Sequence, residues 1–459
     1  MKNKRVEKCV SVLLLVIAVA ILVKVSTDTT EKLCNQSERS IRGEVMKAAK
    51  TVCQNVDARK IEVPEIETSI CEDLCASICD GMGSSDEVRL KLKEKPREKE
   101  PQNSSQNMAT VPKDQVEAIV AAMSLKEKVC QLFIVAPEQL LGSGTVTSAG
   151  DSTRKKLSQY PVGGLIYFAS NLKEPDQTKT MLKQTQSYAY ELWNLPLFLC
   201  VDEEGGRVAR IANNAAFGVG YVEPMQNIKD REAAYNVGAR IGGYLWELGF
   251  NLDFAPNSDV LTNNSNTVIG DRSFGSDPTV VAEFAAAASD GLHAAHVMST
   301  FKHFPGHGAT EGDTHDGFAY TEKTYEQLLE AELVPFAAAK EYNVDAVMVA
   351  HISVPNVVGD DTPSSLSYRM ITDILRGDLG YDGLVVTDAM NMGAIAKHYA
   401  SDEAAVLAIQ AGVDLLLMPK DFTQAVNGVM KAVENGTITQ ERLDESVLRI
   451  VKSKLEMGK

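Results

Sequence analysis

Residues 297–317 read VMSTFKHFPGHGATEGDTHDG, and the organisation of the whole chain can be worked out from this stretch. It opens with an apolar run typical of a buried strand, Val297–Phe301, and Lys302 and His303 follow directly. Four glycines lie between Phe304 and Phe318, so the following loop can adopt backbone conformations that other residues avoid. A buried strand that leads into charged residues and a glycine-rich loop is typical of parallel α/β enzymes.

Similar runs recur on both sides of this stretch. Helical patterns such as Glu283–Ala295 and Tyr325–Glu341 lie between most of them, and Ser124 with Glu127 predicts a capping box at the first helix. Eight buried strands that alternate with helices predict the α/β class and a TIM (β/α)8 barrel. The seven further runs are Leu132–Val135, Gly164–Phe168, Leu197–Val201, Leu252–Ala255, Ala346–Ala350, Leu384–Thr387 and Asp414–Met418.

Polar residues crowd at the carboxyl ends of four of these runs. In TIM barrels the strand ends and the loops after them form the active site, so these residues predict one shared pocket. Asp388 alone would also suit the cap of a helix predicted at Ala389–His398, but four strand ends together favour a site. The residues are Asp202 and Glu203 after the third run, Lys302 and His303 after the fifth, His351 after the sixth and Asp388 after the seventh.

The glycine-rich loop carries a second group of candidates. Asp313 and His315 suit an acid–base pair, because a carboxylate bonded to imidazole fixes its tautomer and raises its basicity. Taken alone, they would more simply be an exposed histidine beside an aspartate. His303, His307 and His315 also invite a zinc interpretation, but their spacing matches no common ligand frame.

The large domain resembles glycoside hydrolase family 3, and within it the β-N-acetylglucosaminidase branch. The motif KHFPGHG followed by D-x-H (302–315) is specific to that branch, and three further blocks match in the expected order. They are VDEEGGRVAR (201–210), IGDRSFG (269–275) and VVTDAMNM (385–392).

The resemblance implies a role for each matching residue. Asp388 matches the nucleophile that forms a covalent glycosyl–enzyme, and His315 matches the acid/base, with Asp313 as its partner. Charged donors and acceptors suit a polyol that must be gripped tightly. The residues that match the sugar-binding set are Asp202, Arg210, Arg272, Lys302 and His303.

Two features depart from the wider family. Relatives often carry glutamine or histidine at the position of Glu203, which we expect to add negative charge beside Asp202 and which is the second candidate for the acid. Many β-glucosidases of the family take their acid/base from a second domain. The sequence ends at Lys459, soon after the last barrel helix, so we expect the loop histidine to serve instead.

The resemblance thus implies a retaining exo-β-N-acetylglucosaminidase that acts on peptidoglycan fragments or related amino-sugar oligosaccharides. It implies no metal and no organic cofactor, and we expect a monomeric barrel. A phosphorylase is an alternative, because a neutral histidine repels phosphate less than a glutamate does. An inactive glycan-binding protein is another, although it would not need Asp388, His315 and Asp313 together. A net charge of −16 argues against nucleic acid as a partner.

The N-terminal part divides into three segments. Residues 1–27 combine a basic flank with an uncharged apolar run, 9–23, and predict a signal anchor that holds the catalytic domain outside the cell. A cleaved signal peptide is the alternative and exports the enzyme equally. Residues 28–83 predict a Cys-bearing helical segment, and residues 84–112 a flexible linker to the barrel domain at 113–459.

Eight cysteines are present, and five cluster in the second segment. In an exported protein, disulfide bridges from the first two to the last three are one interpretation, and a metal site is the other. The five are Cys34, Cys53, Cys71, Cys75 and Cys79. Cys9 lies in the apolar run, whereas Cys130 and Cys200 lie in apolar segments of the barrel domain and are expected to be core residues.

Overall fold

The computed structural model of the protein describes residues 111–312 and 319–457. The predicted anchor, the Cys-bearing segment and almost all of the linker lie outside these residues, as do Asp313 and His315. Within the described part of the chain, no helix has the length and apolar character needed to cross a membrane.

Eight parallel strands form the centre of the domain, and we number them β1–β8 in chain order. Each is short and almost wholly buried, which suits runs rich in valine, isoleucine and leucine that are covered on both faces. They are β1 Phe133–Val135, β2 Gly164–Ile166, β3 Phe198–Val201, β4 Leu252–Asp253, β5 Thr300–Phe304, β6 Ala346–Val349, β7 Leu384–Thr387 and β8 Leu416–Leu417.

The strand pairings close this sheet into a barrel. Strands β8, β1, β2, β3 and β4 pair in that order, and β5, β6 and β7 pair in a second group. Parallel bridges Leu252–Met298 and Asn257–Lys302 join β4 to β5, and Val386–Leu415 joins β7 to β8. The predicted (β/α)8 barrel is therefore confirmed for the described residues, with each strand beside its neighbour in the chain.

Helices surround the barrel. Their bounds are Lys113–Ala122, Leu125–Gln131, Pro137–Leu141, Asp151–Gln159, Pro175–Trp193, Arg231–Leu248, Pro278–Ala294, Tyr325–Glu330, Val334–Ala338, Pro355–Val358, Gly393–Ala396, Ser401–Ala411, Phe422–Glu434 and Gln440–Glu456, with a π-helix at Arg369–Asp378. The predicted capping box is present: Glu127 N–H donates to Ser124 Oγ, and Ser124 N–H donates to Glu127 Oε2. Cys130 and Cys200 are buried core residues, as expected.

Three predicted elements differ from the structure. The pattern at Tyr325–Glu341 forms two helices, because Pro335 has no N–H for a continuous helix and its ring would clash with the preceding turn. The helix expected at Ala389–His398 covers only Gly393–Ala396. Strand β5 begins and ends three residues later than predicted, so Lys302 and His303 belong to the strand itself.

Candidate active site

A continuous series of charged contacts lies at the carboxyl ends of the strands. Asp202 follows β3 and accepts from two cations, Arg210 Nη2 at 3.3 Å and Lys302 Nζ at 3.0 Å. Lys302 Nζ lies 2.6 Å from Glu204 Oε1. Arg272 donates to the same carboxylate from Nη2 at 2.7 Å and from Nε at 2.8 Å. The structure thus brings the predicted residues Asp202, Arg210, Arg272 and Lys302 into one cluster.

Exposure changes along this series. Arg210 and Asp202 keep 27% and 17% of their side chains exposed, whereas Lys302 and Glu204 keep 2% and 1%. Burial opposes the charge of Glu204, but Arg272 and Lys302 outweigh it and hold the pKa of that carboxyl well below its usual value. Likewise, burial opposes the charge of Lys302, while Glu204 and Asp202 raise its pKa. Glu204 and Lys302 therefore stay charged inside the site, whereas the Asp202 and Arg210 side chains at the other end of the series are partly exposed to solvent.

A local irregularity of β5 brings two adjacent side chains to the same site. Successive strand residues normally point to opposite faces, but the pairing register between β5 and β6 shifts between Lys302 and Phe304. Such a bulge re-aims the side chains beside it. Lys302 therefore reaches Asp202, and His303 reaches Arg272, whose Nη2 lies 3.3 Å from His303 Nε2.

Asp259 orients His303 and the start of the glycine-rich loop. It is fully buried, and its Oδ2 lies 2.7 Å from His303 Nδ1 while its Oδ1 accepts the backbone N–H of His303 and of His307. Burial opposes the charge of Asp259, but His303 and His307 outweigh it and lower its pKa. A carboxylate on Nδ1 fixes the orientation and the tautomer of a histidine ring.

Arg272 is held at the end of a short loop, in the 3-10 turn Gly270–Arg272. The side chain of Arg207 supports this loop, because its Nη2 donates to three successive carbonyls, those of Thr267, Val268 and Ile269, at 2.7–3.0 Å. Arg207 itself comes from the segment after β3. The loops after β3 and β4 are therefore locked together at the point where each supplies a charged residue to the site.

Glu203 is a correction to the expectation from the sequence. It was expected to add charge beside Asp202 and to be the second candidate for the acid. Its carboxylate is instead buried and accepts the N–H groups of Arg210, Ile211 and Ala212 and the hydroxyl of Tyr244. Burial raises the pKa of Glu203 despite these bonds. Glu203 therefore shapes the turn after β3, and its neighbour Glu204 carries the charge that meets Lys302 and Arg272.

Asp388 lies directly after β7 and keeps part of its side chain exposed. Its N–H donates to the Val349 carbonyl of β6, and its Oδ1 accepts the N–H of Ala389 at 2.8 Å. Burial opposes its charge, but the positive fields of His303 and His351 outweigh it and lower its pKa. Asp388 is thus an ionised carboxylate within electrostatic range of the cluster.

His351 contacts the backbone of Ala389, the residue after Asp388. Its Nδ1 lies 2.7 Å from Ser365 Oγ and its Nε2 lies 3.1 Å from the carbonyl of Ala389. A carbonyl only accepts, so Nε2 carries a proton. His351 therefore ties the turn that follows the Asp388 carboxylate to the loop after β6.

Two predictions from the sequence concern the glycine-rich loop, the acid–base pair and the zinc site. The acid–base pair Asp313 and His315 lies outside the described residues, so its position relative to Asp388 stays a prediction. Among residues 111–312 and 319–457, no group of three or more histidine, cysteine, aspartate or glutamate side chains is arranged to hold a metal ion.

Sequence reasoning missed two residues of the cluster, Glu204 and Asp259. One signal could have revealed Glu204: Arg210, Arg272 and Lys302 were all assigned to one pocket, and three cations need more than one carboxylate. Asp259 had no such signal, because it lies well after β4 and reaches the site only through the folding of that loop.

Comparisons with known proteins agree with this architecture. Residues 124–453 match the glycosyl hydrolase family 3 N terminal domain. The chain is 36% identical over 328 residues to Beta-hexosaminidase A of Pseudoalteromonas piscicida, a match that covers 66% of this chain and 54% of that protein. It is 32% identical over 345 residues to Beta-hexosaminidase LpqI of Mycobacterium tuberculosis, covering 73% of this chain and 84% of that protein. The chain therefore spans about half of the first relative and most of the second.

Solved structures give the same result. A glycoside hydrolase family 3 beta-N-acetylglucosaminidase from Paenibacillus sp. str. FPU-7 superposes with a TM-score of 0.68 at 40% identity, covering 73% of this chain and 63% of that one. A Beta-N-acetylhexosaminidase from Beutenbergia cavernae superposes with a TM-score of 0.64 at 26% identity, covering 73% of this chain and 99% of that one.

Proposed function

Because this chain belongs to glycoside hydrolase family 3, we propose that it is a retaining exo-β-N-acetylglucosaminidase with Asp388 as its nucleophile. One observation carries the proposal. An ionised, partly exposed carboxylate follows β7, within electrostatic range of the buried Lys302 ammonium that Asp202 and Glu204 share. The relatives named as β-hexosaminidases and a β-N-acetylglucosaminidase support the choice of an amino sugar.

The charges suit the two steps of a retaining mechanism. In the first step an Asp388 oxygen attacks the anomeric carbon, the glycosidic bond breaks, and the leaving oxygen takes a proton. Asp202, Arg210 and Lys302 supply acceptors and donors for the sugar hydroxyls, while Arg272 adds donors and His303 a ring nitrogen on the other side of the cluster. In the second step water attacks the same carbon and Asp388 leaves.

His315, with Asp313 as its partner, is the proposed acid and base for these two proton transfers. It protonates the leaving oxygen in the first step and takes a proton from water in the second. The neighbourhood of the loop supports this assignment, because the described part of the loop starts beside His303 and Asp259.

We further propose that the enzyme acts outside the cell on peptidoglycan fragments or related oligosaccharides. The basic and apolar character of residues 1–27 supports a signal anchor, and residues 84–112 would then link the Cys-bearing segment to the barrel. Low aromatic content, 6%, supports a short exo-acting pocket in preference to a long polymer-binding cleft.

Asp388→Asn tests the central assignment. The change removes the attacking charge while keeping the shape, so we expect kcat on an aryl β-N-acetylglucosaminide to fall by about four orders of magnitude or more. Thermal unfolding should stay close to that of the unaltered protein. Asp382→Asn is the matched control: Asp382 lies six residues earlier with 77% of its side chain exposed, and its variant should keep the original rate.

The same assay separates the alternatives. Release of free N-acetylglucosamine in phosphate buffer supports hydrolysis, whereas sugar 1-phosphate as the main product would make the enzyme a phosphorylase. An unaltered protein that binds the glycoside without turnover would be a glycan-binding protein. An Asp388→Asn variant with a rate near the original would move the nucleophile to another residue.

A further inference from the structure

Glu332 is a buried carboxylate that takes no part in the cluster described above. Its side chain is fully buried, and its Oε1 accepts from Lys323 Nζ at 2.5 Å and from Thr262 Oγ at 2.6 Å. Within the described part of the chain, its second oxygen, Oε2, is buried without a hydrogen-bond partner. Such a group lowers stability relative to an apolar side chain of similar size, so its presence calls for another explanation.

The position of Glu332 supplies one, because its contacts fall on both sides of the glycine-rich loop. At the start of the loop, a Cβ placed on Gly306 would lie 2.6 Å from Glu332 Cβ, so Gly306 sits directly against this side chain. After the loop, Lys323 makes the ion pair with its carboxylate. One side chain therefore contacts residues 306 and 323, between which Asp313 and His315 lie.

The two stems of the loop, by which we mean the residues just before and just after 313–318, are also held by hydrogen bonds. Glu311 and Tyr320 exchange both backbone hydrogen bonds, each at 3.1 Å, and so pair the chain just before and just after residues 313–318. The strand Ala319–Tyr320 also pairs in parallel with Ile352–Ser353, in the segment after β6. The ion pair of Lys323 and Glu332 lies next to these paired segments in the chain. Thr262, in the loop after β4, contacts both of its members.

We propose that Glu332 and Lys323 are positioning residues, whose partly buried ion pair sets the stems of the loop that carries the acid/base. The inference rests on the proposed function, in which His315 is that group. A misplacement of about 1 Å at a catalytic group costs up to about 100-fold in rate, so a fixed pair of stems has a direct catalytic value.

The test compares leaving groups in the full-length enzyme. Lys323→Met removes the charge partner, and Glu332→Gln removes the carboxylate while keeping the shape. Both should lower kcat/KM by about 10- to 100-fold for aryl glycosides with poor leaving groups, and much less for activated ones that need little protonation. Lys323→Arg keeps the positive charge, so it should keep most of kcat/KM for the substrates with poor leaving groups. Lys323 is partly exposed, so its variants keep the test valid if Glu332→Gln does not fold.

Two controls make the outcome specific. Lys128→Met breaks another partly buried ion pair, 2.7 Å to Asp444, on a helix that precedes β1 and thus at the opposite end of the barrel. It should lower the melting temperature without any change in leaving-group dependence. His315→Ala is the benchmark, and its leaving-group dependence should exceed that of the Lys323 variant. Added azide is a small nucleophile that can replace water in the second step without a general base, so it should also speed turnover of the His315 variant more than that of the Lys323 variant.

The outcomes separate the two proposals. If His315→Ala shows leaving-group dependence while a folded Lys323→Met slows all substrates equally, or none, the positioning role is wrong and the acid/base stands. If His315→Ala itself slows activated and unactivated substrates equally, with no response to azide, the acid/base assignment fails and the positioning role falls with it.

Discussion

At the scale of single residues, Glu204 is the acceptor that two buried cations share. Its Oε1 lies 2.6 Å from Lys302 Nζ and 2.7 Å from Arg272 Nη2. Glu204→Gln would leave both charges buried without their common partner, so we expect the free energy of unfolding to fall by about 3–5 kcal/mol. The two cations would also lose their alignment, which should raise KM more than it lowers kcat. Urea unfolding and steady-state kinetics measure the two effects.

A surface pair provides the comparison for this prediction. Arg154 and Glu191 form an ion pair in which about half of each side chain is exposed. Solvent screens an exposed pair of this kind, so Glu191→Gln should leave the free energy of unfolding nearly unchanged. Equal unfolding midpoints for the Glu204 and Glu191 variants would show that Glu204 is not essential to the charge balance of the site.

At the scale of elements, the two helices before β4 and β5 pack with almost no space between their backbones. A Cβ at Gly238, in helix Arg231–Leu248, would lie 2.0 Å from the Ala288 carbonyl oxygen of helix Pro278–Ala294. Gly238→Ala must push the helices apart, and we expect a loss of about 1–3 kcal/mol in the free energy of unfolding. Chemical denaturation checks this value.

The same helix contains the matched control. Gly243 lies five residues further on, with no atom within 4 Å of the place where its Cβ would stand. Gly243→Ala should therefore raise the free energy of unfolding by about 0.5–1 kcal/mol, the ordinary gain of alanine over glycine in a helix. A Gly238 variant that gains as much as the Gly243 variant would contradict the close packing.

At the scale of the whole molecule, the end of the barrel opposite the site contains a pH-dependent contact. His293 Nε2 lies 2.6 Å from Asp345 Oδ2, which also accepts the N–H of Ser299, so the contact ties helix Pro278–Ala294 to the starts of β5 and β6. Burial opposes the charged imidazole, but Asp345 outweighs it and raises the pKa of His293.

The raised pKa determines the sign of the effect on stability. The contribution of His293 is complete below its unfolded pKa of about 6.5 and disappears as the pH rises through the higher folded value. The difference in melting temperature between the unaltered protein and His293→Gln should therefore shrink from pH 6 to pH 8. Asp345→Asn should lower the melting temperature with the same dependence on pH. The double variant should melt at about the same temperature as either single variant. A difference that stays constant over this range would refute the coupling.

The sequence by itself was sufficient for the alternation of strands and helices, because burial of short apolar runs is a local property of the chain. Each run from Leu132 to Met418 contains a barrel strand or overlaps one, and the strand-end rule selected Asp202 and Asp388 in advance. The length of Tyr325–Glu341 was overestimated, although Pro335 was visible in the sequence.

Only the tertiary structure decided which charges meet. Glu203 and Glu204 are adjacent and chemically identical, yet one accepts backbone N–H groups and the other binds Lys302 and Arg272. The bulge in β5 turns His303 toward Arg272, and Asp259 reaches His303 from 44 residues earlier. Which charges pair depends on the paths of the loops and on the desolvation of each carboxylate. Both are determined only in the folded barrel and cannot be derived from local sequence.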